Sequence, residues 1–392
     1  MCFHGFSIIN LSVFLCHVLW SLLYCLFILA VAVQAGYGLY FFSRVFQLPG
    51  ENIPAANHLP ISVVICAKNE GENLRKNLPT ILSQQYFNEH GKPNYEVIVV
   101  NDASTDDTAE VLKELEMQYD NLWDVVIPPD AVRDLKGKKF ALGKGVAHAA
   151  NDWLVLTDAD CIPASDKWLA QMVAPLAQGK EIVAGYGGYN KMPGLLNAFI
   201  RWETLHTFLQ YSTYTLAGQP YMAVGRNMAC TKAVMKKASE AEVWNALPSG
   251  DDDLLVSIAG TAENMAVVAD ASAFTWSDVK RTFSEWVKQK QRHLSAGKYY
   301  KQSTKWLLAF YAAAHALMWL SFLPLLLSGH WQMALIVMMA RCLVYWGLWA
   351  VTAVKLKEAS LIYLFPLFDI GWLVYNFAFF PYITWKNKQQ WR

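Results

Sequence analysis

The first 43 residues contain no Lys, Arg, Asp or Glu. That absence excludes a solvated N-terminal segment, and Leu11–Phe42 exceeds the roughly 20 residues that a membrane-crossing helix needs. The stretch reads as an anchor rather than a cleaved leader, which would pair a basic start with an apolar core of only about 7–15 residues. The chain also lacks an excess of either charge, with 33 Lys and Arg against 32 Asp and Glu, which argues against a nucleic-acid partner. Its seven cysteines include no CxxC pair, so no disulfide or zinc framework is legible. Cys2, Cys16, Cys25 and Cys342 lie in or beside apolar segments, while Cys66, Cys161 and Cys230 are expected as buried thiols in a reducing compartment. No GxGxxG follows the first apolar strand and no GxxxxGK[ST] occurs, which removes the fingerprints of dinucleotide oxidoreductases and P-loop NTPases.

Long apolar runs, in contrast, are plentiful at both ends. Beyond the first, Trp306–Leu327, Met333–Val354 and Ala359–Trp385 are separated only by the polar breaks SGHW and KLKEA, so four membrane spans are expected. Lys288, Lys290, Arg292, Lys298, Lys301 and Lys305 form a basic patch before the second span, which places the middle of the chain on the cytoplasmic side. Four crossings would then leave Lys386, Lys388 and Arg392 outside, unless the last segment, interrupted by Pro366, Asp369 and Pro381, crosses incompletely. Arg341 and Asp369 fall inside spans, where charges are costly, and are expected either to pair between helices or to line a lipid path.

Between these ends the pattern changes. Apolar strands begin near Ile61, Tyr95, Trp123 and Trp153, about 28–34 residues apart, the length of a strand, a crossover helix and a return. The intervening Glu72–Gln85, Asp106–Tyr119 and Lys139–Ala150 read as helices, so the fold class is α/β with a parallel, doubly wound beginning. Ligands of such sheets bind beyond the carboxyl ends of the strands, where Asp102, Asp158 and Asp160 would face one crevice. Asp102 lies in NDASTDDT, where a bland reading also exists: Ser104 and Asp107 could form a capping-box-like helix start with Asp102 as a turn residue.

The sharper signal is TDADC at Thr157–Cys161. Two aspartates separated by one residue can present oxygens to a single hard cation, for which Mg²⁺ or Mn²⁺ is suited, and the buried strand WLVL before them sets this DxD apart from one in an ordinary turn. In Ser249-Gly250-Asp251-Asp252-Asp253-Leu254 three acids open an apolar helical stretch. They read either as a solvated helix cap or, where crowding raises a proton affinity inside a cleft, as the source of a general base. Gln289-Lys290-Gln291-Arg292-His293 ends an amphipathic pattern carrying Trp276, Phe283, Trp286 and Val287. It suits the membrane surface, and Arg292 could also clamp a diphosphate while Gln289 meets an acceptor.

Taken in order, ISVVICAKNEGENL, NDAST, Lys138 with Ala141 and Leu142, TDADC, GRNMA, GDDDL and QKQRH resemble family 2 of the glycosyltransferases. These are membrane-attached enzymes that include cellulose, chitin and hyaluronan synthases and non-processive relatives. The resemblance covers about residues 60–298. It implies a GT-A domain, a Rossmann-like nucleotide-diphospho-sugar transferase fold, carrying N- and C-terminal transmembrane helices. By it, Ala67 and Glu70 line a uridine pocket, Asp102 holds the base and Lys138 meets phosphate. Asp158 and Asp160 carry the metal function, Asp160 being the direct ligand, and Asp158 also serves the donor. Asp251 takes the place of the aspartate in the family's ED base motif, and Gln289, Arg292 and His293 occupy the QxxRW motif on the acceptor and diphosphate side. Three positions depart from the pattern: His293 stands for Trp, Gly250 for Glu, and Gly143 ends a KxxALN-like run.

The implied activity is an inverting, metal-dependent transfer from a nucleotide-diphosphate sugar, of the UDP type, to a lipid, lipid-linked or saccharide acceptor. The implied setting is a bacterial inner membrane with the catalytic domain cytoplasmic. Expected divisions are an anchor at 1–45, a catalytic domain at 46–275, an interfacial helix at 276–304 and a membrane region at 305–392. Two alternatives stay open: a processive synthase that extrudes its polymer, and a catalytically silent membrane scaffold.

Overall fold

The computed structural model describes residues 3–49, 59–135, 137–247, 250–329 and 331–384. Its centre is explained by strands that are apolar on both faces. In β1 (Ile61–Ala67) every residue is buried, with Ile61, Val63, Ile65 and Ala67 facing one core and Val64 and Cys66 the other. Alternation of this kind requires a layer on each side of the sheet. β2 (Tyr95–Asp102), β3 (Leu122–Ile127) and β4 (Trp153–Asp158) complete a parallel group in which β1 pairs with β2 and β4, and β2 with β3. Helices Gly71–Leu82, Thr108–Glu116 and Lys138–His148 are the crossovers, within a few residues of their sequence-based bounds.

Six shorter strands follow: β5 (Cys161–Pro163), β6 (Ile182–Ala184), β7 (Gly187–Tyr189), β8 (Met228–Thr231), β9 (Met265–Val267) and β10 (Thr275–Ser277). The main sheet has the order β3-β2-β1-β4-β8-β6-β9, with β8 antiparallel to both β4 and β6. The remaining three form a small sheet, β5-β10-β7, which begins one residue after Asp160. Trp276 therefore belongs to a strand, whereas the sequence pattern had assigned it to the amphipathic helix. That helix begins at Phe283, where a Thr282–Glu285 capping box opens it. A boundary between 275 and 276 would cut through β10.

One core, containing Leu74, Leu112, Trp168 and Met172, covers the far face of the sheet. The other runs without a break from Val64, Val100 and Leu156 through the helix Leu195–Leu216 to Tyr37, Phe42, Tyr311, Tyr345 and Trp349. These last residues belong to the apolar ends of the chain, where His17–Gln47, Gln302–Leu326, Trp331–Lys355 and Ala359–Tyr382 are each long and apolar enough to cross a membrane. Lys386, Lys388 and Arg392 lie outside the described residues, as do Cys2 and Ser249. Inside the bundle Arg341 and Asp369 form the interhelical ion pair. His315 Nε2 at 2.8 Å and the Trp346 indole at 3.0 Å also meet Asp369, and Arg341 donates to Gln34 at 3.1 Å. A charge in a span needs partners of this kind.

The helix Leu195–Leu216 joins domain and bundle. Its Arg201 pairs with Glu358, which is wholly buried in the loop between the last two spans. Its Glu203 pairs with Lys290, so Lys290 is buried and does not belong to the exposed basic patch. Its His206 meets the Tyr311 hydroxyl at 3.1 Å. Arg201→Met should strand the Glu358 charge and cost about 3–5 kcal/mol, while Arg201→Met with Glu358→Leu should recover most of it. Thermal unfolding in detergent checks this, and an unchanged midpoint in the single variant would contradict it.

Candidate active site

The site begins where β1 and β2 end in two loops that hold each other. Asn69 and Ala103 both adopt left-handed backbone, with φ of 57° and 54°, a conformation kept only when neighbours enforce it. Here the neighbours are reciprocal: the Asn69 amide donates to Ser104 Oγ at 2.9 Å, and Asn69 Oδ1 accepts from the Thr105 amide at 2.8 Å. The Glu70 amide donates to Thr108 Oγ1 and the Gly71 amide to Asp106 Oδ2. A Cβ on Gly71 would lie 2.1 Å from Asp107 Oδ1, so only glycine allows the approach. The capping box expected from Ser104 and Asp107 is not formed, because Ser104 binds the β1 loop and Asp107 pairs with Arg75. Ala67 has no exposed surface and packs into the far core, so its side chain does not line the crevice.

Asp102 and Asp158 end β2 and β4, the strands on either side of β1, and a cation from the segment between β3 and β4 covers each. Arg133 grips Asp102 through both nitrogens, at 2.5 and 3.2 Å, and Asp102 is fully buried beneath it. Lys138, at the first turn of its helix, pairs with Asp158. Arg133 carries no motif and was not identified from the sequence. Between these pairs lies the Cys66 thiol. Burial pushes it up to about 12, and it feels the charges of Lys138, Asp251, Asp158 and Asp102 together. Four expected site residues from four separated segments therefore meet at one edge of the sheet.

Asp158, Asp160 and Cys161 bring one ligand atom each within 4.8 Å of one another. Burial raises the Cys161 thiol well above its ordinary value, so it stays protonated and is a poor partner for a hard cation. The two carboxylates are the fitting donors. Burial works to raise Asp158, but the Lys138 ammonium, with Arg226 and Arg292 behind it, overcomes that and holds the carboxyl low. Asp160 is raised, first by burial and then by the Asp158 charge. Glu70 is raised by burial, and the charges of Asp160 and Asp158 add to that push. A divalent cation would relieve this crowding of acids.

Arg226, in the middle of GRNMA, supplies the positive charge that the motif reading left unassigned. Its guanidinium stacks 4.1 Å above the Tyr189 ring and donates to Ser277 Oγ at 3.1 Å. Gln289 reaches the Tyr189 hydroxyl at 3.4 Å. Arg292 acts on Asp158, and His293 beside it is exposed. The QxxRH segment thus shares the hollow with the DxD.

Across from it, the helix Asp251–Ala259 opens on the three acids, with Gly250 before it at φ 76°. The solvated-cap reading does not hold, since Asp251 and Asp253 are buried. Burial and the Asp251 charge push Asp252 up to about 6, and burial drives Asp253 well above the usual carboxylate value. Lys138 feels Asp251 and acts on Asp252 as well, and Asp251 is the one of the three whose charge also reaches the Cys66 thiol. Because Lys138 competes with a cation for Asp158, Lys138→Met should tighten Mn²⁺ binding by about tenfold in the absence of nucleotide, the equivalent of one charge-assisted hydrogen bond. Calorimetric titration measures this, and weaker binding would contradict the competition.

Residues 62–240 match the family model for glycosyl transferase family 2. Glycosyltransferase AglE of Haloferax volcanii is 32% identical over 126 residues, 32% of this chain and 38% of that one. The 4,4'-diaponeurosporenoate glycosyltransferase of Staphylococcus aureus is 32% identical over 130 residues, 33% of this chain and 31% of that one. The chain thus spans less than two thirds of the length of these relatives. A mannosyltransferase from Pyrobaculum calidifontis, solved in complex with GDP-Man and Mn²⁺, superposes with a TM-score of 0.54 at 16% identity, covering 90% of this chain and 99% of its own. At that identity the likeness concerns the fold, and the fold is GT-A. With the strand-end acids and the DxD at one edge of the main sheet, the chain carries over residues 62–240 a domain of glycosyl transferase family 2.

Proposed function

We propose that the protein catalyses the inverting transfer of a sugar from a nucleotide-diphosphate sugar, of the UDP type, to a lipid or lipid-linked acceptor at the cytoplasmic face of a bacterial inner membrane. The observation that carries the reading is the meeting of Asp158, Lys138 and Asp251 around the buried end of β1, with Asp160 beside them. In this reading the base lies near Asp102 and Arg133, with Glu70 at the pocket's edge. Lys138, Arg226 and Arg292 turn to the diphosphate. A Mg²⁺ or Mn²⁺ held by Asp160 and Asp158 supplies counter-charge for the diphosphate when bound.

Asp251 accepts the proton of the acceptor hydroxyl as that oxygen attacks the anomeric carbon. The new carbon–oxygen bond forms on the face opposite the phosphate oxygen, whose bond to the sugar breaks, so the configuration inverts. The positive side chains meet the charge that develops on the leaving group, where a preorganised field lowers the barrier. Gln289 and His293 lie on the acceptor side.

Two features support a membrane-borne acceptor. Tyr189, at the hollow, belongs to one buried hydrophobic cluster with Ile200, Trp286, Tyr375 and Phe379, the last two in the final span. Lys191 donates to the Lys357 carbonyl at 2.8 Å, so the loop between the last two spans lies against the catalytic domain. The Lys355–Lys357 end of that span and the Lys298–Lys305 start of the earlier one are then on the domain's side, as the positive-inside rule requires of a cytoplasmic face.

Incubating membranes with a panel of labelled nucleotide sugars and extracting with organic solvent tests donor and acceptor together. Label in the solvent phase is the expected result, and a ladder of polymer sizes would point instead to processive synthesis. Asp251→Asn should lower kcat by about 10²–10⁴-fold with donor binding nearly intact. A wild-type rate would exclude Asp251 as the base. Asp160→Ala, like chelation of the metal, should abolish the dependence of donor binding on Mn²⁺, and an unchanged metal titration would exclude Asp160 as a ligand.

A further inference from the structure

Of the three acids at Asp251–Asp253, the chemistry above uses one. Asp252 is turned to a different task. Its Oδ2 accepts the Gly225 amide at 2.6 Å, and its Oδ1 accepts the Asp253 amide at 2.9 Å. A Cβ on Gly225 would stand 3.3 Å from the same Oδ2, tighter than an ordinary contact, so glycine lets the carboxylate come close.

The residue that follows Gly225 is Arg226, whose charge acts on both Asp158 and Asp160. Its backbone is fixed from two other directions. The Arg226 carbonyl accepts from Thr157 Oγ1 at 2.9 Å and from Thr275 Oγ1 at 3.1 Å, one hydroxyl from β4 and one from β10. Those two contacts tie the turn to the sheets. The bond from Asp252 ties it to the helix on which Asp251 stands. Charged and titratable groups face Asp252 from every side: Asp251 and Asp253 on its own helix, Lys138 across the crevice, Lys139 buried against the Trp244 carbonyl, and Tyr211 and Tyr300 from the elements packed behind.

We infer that Asp252 is a positioning residue, a strut that locks the Gly225–Arg226 turn to the first turn of the helix bearing Asp251. It fixes the separation between the leaving-group cation Arg226 and the base. The part of this inference that concerns catalysis rests on the reading of the site given above; the strut itself does not. Misplacement by an ångström is enough to slow an oriented reaction by about 10²-fold, so a strut of this kind has a kinetic effect without touching substrate.

Two substitutions separate the roles. Asp252→Ala removes the acceptor. The amide of Asp252→Asn keeps an oxygen for Gly225 but gives up the charge. Hydrogen–deuterium exchange of the 222–228 segment, read by mass spectrometry without any sugar donor, should speed up by about tenfold in Asp252→Ala, the loss of one hydrogen bond, and much less in Asp252→Asn. Turnover should follow the same order, with kcat lower by about 10²-fold in Asp252→Ala, donor KM changed little, and most of the rate restored in Asp252→Asn. Unchanged exchange in Asp252→Ala would overturn the strut. Equal loss of kcat in both variants with exchange unaltered would overturn it too, since the charge itself would then serve the chemistry. Should Asp252→Ala not fold, Asp252→Ser is read in the same way. If the wild-type protein transfers no sugar, the enzymatic reading fails while the exchange measurement still decides on the strut.

Discussion

Carboxylates crowded at the carboxyl edge of a buried sheet repel one another, and the local arrangement answers that repulsion. Asp102, Asp158, Asp160 and Asp251 all come to the hollow because the strands and helix that carry them end there. Water cannot screen them fully, so cations must be close. Arg133 and Lys138 come from one segment, Arg226 from the turn before β8, and Arg292 from the helix Phe283–Leu294 that leads to the long apolar helices. At Asp160 and Glu70 burial and then the neighbouring carboxylates raise the proton affinity, and a divalent cation would supply what is missing. An edge with this balance is suited to a ligand that brings both a diphosphate and a metal.

The same rule governs attachment to the long apolar helices. Glu358 and Glu203 are buried, and each has one basic partner, Arg201 and Lys290. Within the spans Arg341 and Asp369 answer each other, with Gln34, His315 and Trp346 taking up remaining polar atoms. Since the helix Leu195–Leu216 carries Arg201, Glu203 and His206, the catalytic domain cannot tilt on the bundle without breaking buried pairs. The hollow is thereby held beside the final apolar helix, on the side from which the proposed lipid-anchored acceptor would come.

Much of this was legible in the sequence, for physical reasons. Strands buried on both faces write themselves as apolar runs, so β1, β2 and β4 and the aspartates at their ends were readable, as were the uncharged spans. The strands of three or four residues from β5 to β10 are too short to show a period, so the small sheet went unread and Trp276 was assigned to a helix. Lys290 sits in a basic run, and only the fold reveals the Glu203 that buries it. Arg133 was missed as a site residue because a lone arginine in a loop has no spacing to recommend it, and Arg226, though inside GRNMA, finds its partners only in the fold. Ser104 matched a capping pattern, but Asn69 of the neighbouring loop competed for it and won.

The central claim is that the DxD carboxylates hold a metal together with a nucleotide's phosphates at the end of β4. A structure of the protein with Mn²⁺ and a nucleoside diphosphate, with the metal located by its anomalous scattering, tests it most directly. The account predicts a single strong peak in contact with Asp160 and the diphosphate, with Lys138 withdrawn from Asp158 toward phosphate. A metal bound elsewhere, or a nucleotide seated away from Asp102 and Asp158, would contradict it.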